Sequence, residues 1–174
     1  VRVARDHLLK GGARSIAYFA AGDPAVFNPR AANFLEAVPD GFALVRCIQI
    51  GEILERPTSA LQKQMKSWLA QLPKPAGIMT LESLSGQFLC RMCQRAGLRV
   101  PADVQIIGAA DEDFCLSCEP HLSSLDMPAE RIGAAAVGVL LRHLRRRHPR
   151  PPANVSIGGT RVIARGSTSP VKSR

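Results

Sequence analysis

The chain has 174 residues, enough for one ordinary domain or for one lobe and part of another. Hydrophobic residues make up 46% and charged residues 21%, which excludes a disordered chain, and no stretch approaches the roughly 20 apolar residues of a membrane helix. The net charge is +9, but five arginines fall within residues 142–150, and this run is more typical of a solvated helix end than of a nucleic-acid surface.

Helices and strands alternate in the first third of the chain. Apolar residues recur at helical spacing over Val3–Lys10, and the short apolar run Ser15–Ala21 predicts a buried strand. Pro29 then opens a helix, with Asn28 as its possible cap, and residues 42–50 predict a second strand.

The alternation continues to the end of the chain. In order, we predict a helix capped by Thr58 or Ser59 and ending at Leu72, strand Ala76–Thr80, a helix from Ser83 or Ser85 to Arg95, strand Val104–Ala109, a long helix from Pro128 to about Arg147, and a closing hairpin of Val155–Ile157 with Arg161–Ala164. Continuous apolar strands separated by helices indicate a parallel sheet covered on both faces. Such sheets bind ligands at the carboxyl ends of their strands, so the loops at 22–30, 51–57, 80–86 and 108–121 are the candidate binding loops.

Four stretches then suggest a family by their order and spacing. They are Ala4–Gly12 followed by Ser15-Ile16-Ala17, Pro29–Phe34, Ala96–Gly108, and Leu122–Leu125 followed by the helix from Pro128 to Leu141. Together they resemble the effector-binding domain of LacI/GalR transcription regulators, particularly the xylose-responsive kind fused to an AraC-type DNA-binding module. The resemblance extends from residue 1 to about residue 169.

The resemblance implies an α/β fold with a doubly wound parallel sheet, like that of periplasmic binding proteins, and a long return helix. It assigns residues 1–125 to the C-terminal lobe of the effector-binding domain and residues 126–150 to a crossover and return helix of the N-terminal lobe. Residues 151–169 would form the closing hairpin, and residues 170–174 a tail or linker. It also implies a homodimer whose DNA-binding module lies outside this chain.

The same resemblance points to a ligand site. Arg30 stands four residues before Phe34, as does a sugar-contacting arginine of the family. The family commonly has Asn-Asp where this chain has Leu81-Glu82, and an acidic residue where it has Ala110. The resulting candidate ligand-binding residues are Arg30, Asn28, Glu82, Asp111 and Asp113. Their expected ligand is a small, sugar-like effector, although Arg30 fits a structural salt bridge equally well.

Two Cys-x-x-Cys pairs raise the question of a zinc site. Cys90 and Cys93 lie inside a predicted helix, where a buried thiol pair is ordinary, whereas Cys115 and Cys118 lie in a loop. We therefore expect no metal and no cofactor. The chain begins without the pattern of a secretory signal, so its five cysteines are expected to be reduced thiols in the cytoplasm.

No enzyme pattern stands out. The sequence has no Gly-x-Ser-x-Gly elbow, P-loop or Gly-x-Gly-x-x-Gly, and Glu112 and Asp113 lie side by side rather than facing across a substrate. We therefore predict a non-enzymatic sensor that binds no membrane. The alternative is a solute-binding protein of a transport system with the same fold.

Overall fold

The computed structural model describes residues 2–21, 43–44, 48–50, 57–111, 113–144 and 154–168. Within this part, the helices are α1 (Arg2–Lys10), α2 (Ser59–Gln71), α3 (Ser83–Arg95) and α4 (Ala129–Leu144), with a short 3-10 helix at Asp113–Leu116. The strands are β1 (Ser15–Ala21), β2 (Ala43–Leu44), β3 (Ile48–Ile50), β4 (Ala76–Thr80), β5 (Val104–Gly108), β6 (Ser123–Asp126) and β7 (Arg161–Ile163). The helix predicted to open at Pro29 lies outside the described residues.

The strands form one sheet in the order β2-β1-β4-β5-β6-β7, and β3 also pairs with β1. All pairings from β2 to β6 are parallel, which confirms the predicted parallel sheet. Every residue of β4 and β5 is buried, and this is why their sequences are mostly apolar, with Thr80 and Gln105 as the polar exceptions.

Helices cover both faces of the sheet, as the doubly wound prediction requires. On one face, Leu8 of α1 packs in a cluster with Ile16 and Tyr18 of β1. On the other face, Phe19 of β1 packs against Trp68 of α2 and Phe88 of α3, with ring centroids 6.1 and 6.0 Å away. Successive residues of β1 therefore point into two separate cores.

Gly77 permits the close approach of α1 to β4. A Cβ atom at this position would lie 3.0 Å from the Cβ atoms of Leu8 and Ala13 and 3.1 Å from Cδ1 of Ile16. These distances are shorter than ordinary van der Waals contact, so a side chain would push the helix away from the sheet.

The predicted closing hairpin is wrong in its pairing. Residues 154–160 form no strand, and β7 instead pairs antiparallel with β6, with Leu125 opposite Val162. This pairing satisfies the edge of β6, which would otherwise present unpaired backbone groups.

The chain divides into two compact units, one comprising Val1–Asp126 with Arg161–Arg174 and the other Met127–Thr160. The second unit contains α4, which has no buried residue, and Arg131 donates a hydrogen bond to the carbonyl of Gly158 within it. No helix in the described part of the chain has the length and apolarity needed to span a membrane.

Candidate ligand site at the carboxyl edge of the sheet

The loops that follow β4 and β5 lie side by side. The Thr80 hydroxyl, at the end of β4, donates to the carbonyl of Glu82 at 2.7 Å and lies 3.3 Å from the carbonyl of Ile107 in β5. The buried Ser83 hydroxyl donates to the carbonyl of Ala110 in the second loop. These bonds hold the two loops at one edge of the sheet, which is where parallel sheets bind ligands.

Glu82 is the acidic residue of the first loop. It is the residue immediately before α3, and its side chain is exposed. The hydroxyl of Ser85, one turn into the helix, donates to Glu82 Oε1 at 3.1 Å. This bond orients the carboxylate while leaving it in contact with solvent.

Asp111 is the acidic residue of the second loop, and it is held by two donors. Ser124 of β6 donates its hydroxyl to Asp111 Oδ1 at 2.6 Å, and Arg165 Nη2 donates to the same oxygen at 2.7 Å. Arg165 Nη1 also donates to the carbonyl of Leu122 and to the hydroxyl of Ser124, at 2.9 and 2.8 Å. The guanidinium thus connects the β5 loop, β6 and the segment that follows β7.

Asp111 is negatively charged at neutral pH. Burial by itself raises the pKa of this carboxyl, but the hydrogen bonds from Ser124 and Arg165 and the charge of Arg165 outweigh it. The pKa of Asp111 is therefore lower than its ordinary value of 3.8.

The other predicted site residues differ in their placement. Asp113 begins the short 3-10 helix two residues after Asp111 and is exposed. The structure therefore places Glu82, Asp111 and Asp113 on two adjacent loops at the carboxyl edge of the sheet. Asn28 and Arg30 lie outside the described residues.

Sequence reasoning missed Ser124 and Arg165. The sequence predicts that residues 161–164 pair with residues 155–157 in a hairpin. Arg165 directly follows this predicted hairpin, so nothing in the prediction connects its side chain to Asp111. The one available signal was the serine pair Ser123-Ser124 between Leu122 and Leu125, because buried hydroxyls need hydrogen-bond partners.

Buried hydroxyl groups fix the segment that carries Arg165. Ser167 Oγ donates to the carbonyl of Ile106 at 2.6 Å and accepts from the backbone N–H of Ser123 at 2.8 Å. Ser123 Oγ lies 2.6 Å from Thr168 Oγ1. Because these partners belong to β5 and β6, the position of Arg165 is determined by the sheet.

His7 of α1 completes this network. Its Nε2 lies 3.0 Å from Thr168 Oγ1. Burial lowers the pKa of His7 below its ordinary value of 6.5, and the nearby charge of Lys10 lowers it further. His7 is therefore neutral at pH 7 and hydrogen-bonded to the chain segment after β7.

The four thiols of the two Cys-x-x-Cys pairs do not come together as one set, although Cys118 packs against the same core cluster as Cys90. Cys115 Sγ lies 3.5 Å from Ser83 Oγ, whereas Cys90 and Cys93 are buried on α3. Among the described residues, no group of three or more His, Cys, Asp or Glu side chains is placed to hold a metal ion.

The comparisons with known proteins agree with this fold. A family model described as the periplasmic binding protein-like domain matches residues 5–168. The chain belongs to this family. The HTH-type transcriptional repressor PurR of Aliivibrio salmonicida is 28% identical over 90 residues, covering 52% of this chain and 27% of PurR. The lactose operon repressor of Rhizobium radiobacter is 32% identical over 82 residues, covering 47% of this chain and 73% of that protein.

A solved structure of the xylose-binding transcription activator xylR superimposes with a TM-score of 0.80 at 23% identity, covering 99% of this chain and 46% of xylR. At this identity the likeness shows the fold alone. The match spans about a quarter of PurR and just under half of xylR.

Proposed function

We propose that this chain is the effector-binding domain of a cytoplasmic transcription regulator of the LacI type, and that its ligand is a small, sugar-like molecule. The relatives are transcriptional repressors, and xylR is described as a xylose-binding activator. The observation that carries the proposal is the pair of acidic residues, Glu82 and Asp111, on adjacent loops at the carboxyl edge of a sheet of this family.

The polar groups at this edge suit binding rather than catalysis. Ser83, Ser85 and Ser124 each donate a hydrogen bond to a carbonyl or carboxylate oxygen. The carboxylate that accepts from Ser124 is Asp111, and its lowered pKa makes it a weaker base than an ordinary aspartate. A sugar offers several hydroxyl groups, and each must find a partner when it is buried, because an unpaired buried polar group costs about 1–3 kcal/mol. Carboxylates accept such hydrogen bonds well, and Asp111 already accepts two at Oδ1, from Ser124 and Arg165.

The proposal places the ligand between two lobes. Residues 1–125 would form most of the C-terminal lobe, and residues 126–150 would enter the N-terminal lobe. Five large apolar side chains of α4 are at least 45% exposed, and burial of this helix in another lobe would account for them: Ile132, Val137, Leu140, Leu141 and Leu144.

Regulation would follow from lobe closure. A ligand that prefers the closed form would shift the population between two dimer geometries, and a DNA-binding module elsewhere in the polypeptide would respond to that shift. Arg30 and Asn28 remain proposed ligand contacts together with Glu82, Asp111 and Asp113. The xylose-responsive, AraC-fused subtype is the finer form of this proposal.

A thermal-shift screen of the full-length protein against pentoses, hexoses and disaccharides tests the proposal, because a ligand that binds only the folded state raises the melting temperature. We expect one sugar to raise it, and we expect Glu82→Gln and Arg30→Ala to reduce that shift. Asp6→Asn, at an exposed carboxylate of α1, is the control and should leave the shift unchanged. A panel without any shift, or a shift that survives both site substitutions, would refute the proposed site.

A further inference from the structure

The loop between β5 and β6 runs along one side of α3. Gln87 Nε2 donates to the hydroxyl of Ser117 at 3.2 Å, and Gln94 Nε2 donates to the carbonyl of Glu119 at 2.6 Å. Helix positions 87, 90 and 94 fall on one face, because they are separated by three and four residues. The two glutamine bonds therefore hold three consecutive loop residues, 117–119, against this face.

A cysteine lies between the two glutamine contacts on each side: Cys90 among helix positions 87, 90 and 94, and Cys118 among loop residues 117–119. Cys90 of α3 is 1% exposed and belongs to the main core cluster, and the half-buried Cys118 of the loop packs against the same cluster. Cys118 Sγ lies 3.4 Å from the carbonyl of Pro120, and its thiol is close enough to that of Cys90 for each thiol to shift the pKa of the other. Cys115, the other loop cysteine, instead faces Ser83 and the carbonyl of Ala110. Cys118 therefore has Cys90 as its thiol neighbour.

The environments of the two thiols differ in a way that suits oxidation. The interaction with Cys90 lowers the pKa of Cys118 and outweighs the effect of its partial burial, and a hydrogen bond involving the backbone of Leu122 lowers it further. The pKa of Cys90 is raised by the same interaction and by burial. Cys118 is thus the more acidic and more accessible thiol, and the thiolate is the form that reacts with oxidants.

We propose that Cys118 and Cys90 form a reversible disulfide when the protein meets a hydroperoxide. The Cys118 thiolate attacks the terminal peroxide oxygen and breaks the O–O bond, which gives a sulfenic acid and, after protonation, an alcohol or water. The sulfur of Cys90 then attacks the sulfenic sulfur, and the thiol proton leaves with the hydroxide as water. The product links α3 to the loop that carries Asp111 and Asp113.

Peptide mapping of the full-length wild-type protein tests this. The reduced protein is treated with increasing hydrogen peroxide, its remaining thiols are alkylated, and its peptides are identified by mass spectrometry. We expect two of its five cysteines to resist alkylation together, a cross-linked Cys90–Cys118 peptide, and recovery of both thiols with dithiothreitol. A disulfide between other cysteines, including Cys47, or continued alkylation of Cys118 at peroxide levels that oxidise the other thiols, overturns the proposal.

Three variants assign the roles of the two thiols, once circular dichroism shows that each is folded. Cys118→Ser should form no cross-link. Cys90→Ser should accumulate at Cys118 a sulfenic acid that dimedone traps. Cys93→Ser, at a buried cysteine of the same helix, is the matched control and should cross-link like the wild type. Dimedone labelling at Cys93 or Cys115 instead of Cys118 would contradict the assignment.

Discussion

Replacement of Arg165 by Met tests whether one guanidinium fixes the candidate site. Arg165 donates hydrogen bonds of 2.7–2.9 Å to Asp111, Ser124 and Leu122, and its side chain is only 17% exposed. A hydrogen bond to a charged group contributes about 1.5–3 kcal/mol when buried. Asp111 is 30% exposed, so solvent screening weakens the ionic part, and we expect a total loss of about 2–3 kcal/mol in the free energy of unfolding.

Urea denaturation at pH 7 measures this loss, and Arg161→Met is the matched control. Arg161 also pairs with an aspartate, Asp126, at 2.8 Å, but its side chain is 76% exposed. An exposed ion pair contributes about 0–1 kcal/mol, so Arg161→Met should lower the free energy of unfolding by no more than this. Equal losses in the two variants would refute the view that Arg165 fixes the site.

The difference between wild type and Arg165→Met should also depend on pH. The pKa of Asp111 is lowered in the folded state, so its contribution to stability is present above the ordinary value of 3.8 and is lost as the pH falls through the folded-state pKa. The wild type therefore loses the ionic part of the pair in acid, and the gap between the two proteins should shrink. A gap that stays constant down to pH 2 would mean that the Asp111 charge contributes nothing.

Three further predictions concern stability. Thr58→Ala should cost about 1 kcal/mol in urea denaturation, because the hydroxyl caps α2 at 3.2 Å from a backbone N–H, whereas Ser59→Ala should cost clearly less. Gly77→Ala should cost about 1–3 kcal/mol by overpacking, and a variant as stable as the wild type would be evidence against close packing of α1 on β4. Folding lowers the pKa of His7 below 6.5, so the folded protein favours the neutral imidazole and the free energy of unfolding should decrease as the pH falls below 6.5. His7→Gln should make the free energy of unfolding less dependent on pH between pH 7 and 5.

Local sequence patterns predicted most of the described fold. The runs Ala76–Thr80 and Val104–Gly108 are mostly apolar because both faces of these strands are buried, and this property indicated a parallel sheet with helices on both sides. Thr58 was a recognisable cap for α2 because capping depends on only four consecutive residues. Placing Glu82 and Asp111 at one edge followed from the rule that parallel strands share their carboxyl ends.

The sequence by itself thus determined the elements, the class of sheet and the edge where polar residues gather, because periodicity and capping report burial and local hydrogen bonding. Only the tertiary structure decided which distant residues and strands contact each other. It placed Arg165 on Asp111, 54 residues away, paired β7 with β6, and brought Cys118 to Cys90. These contacts depend on strand order and register, and no local pattern encodes which distant backbone or side-chain group a polar residue will meet once the sheet has formed.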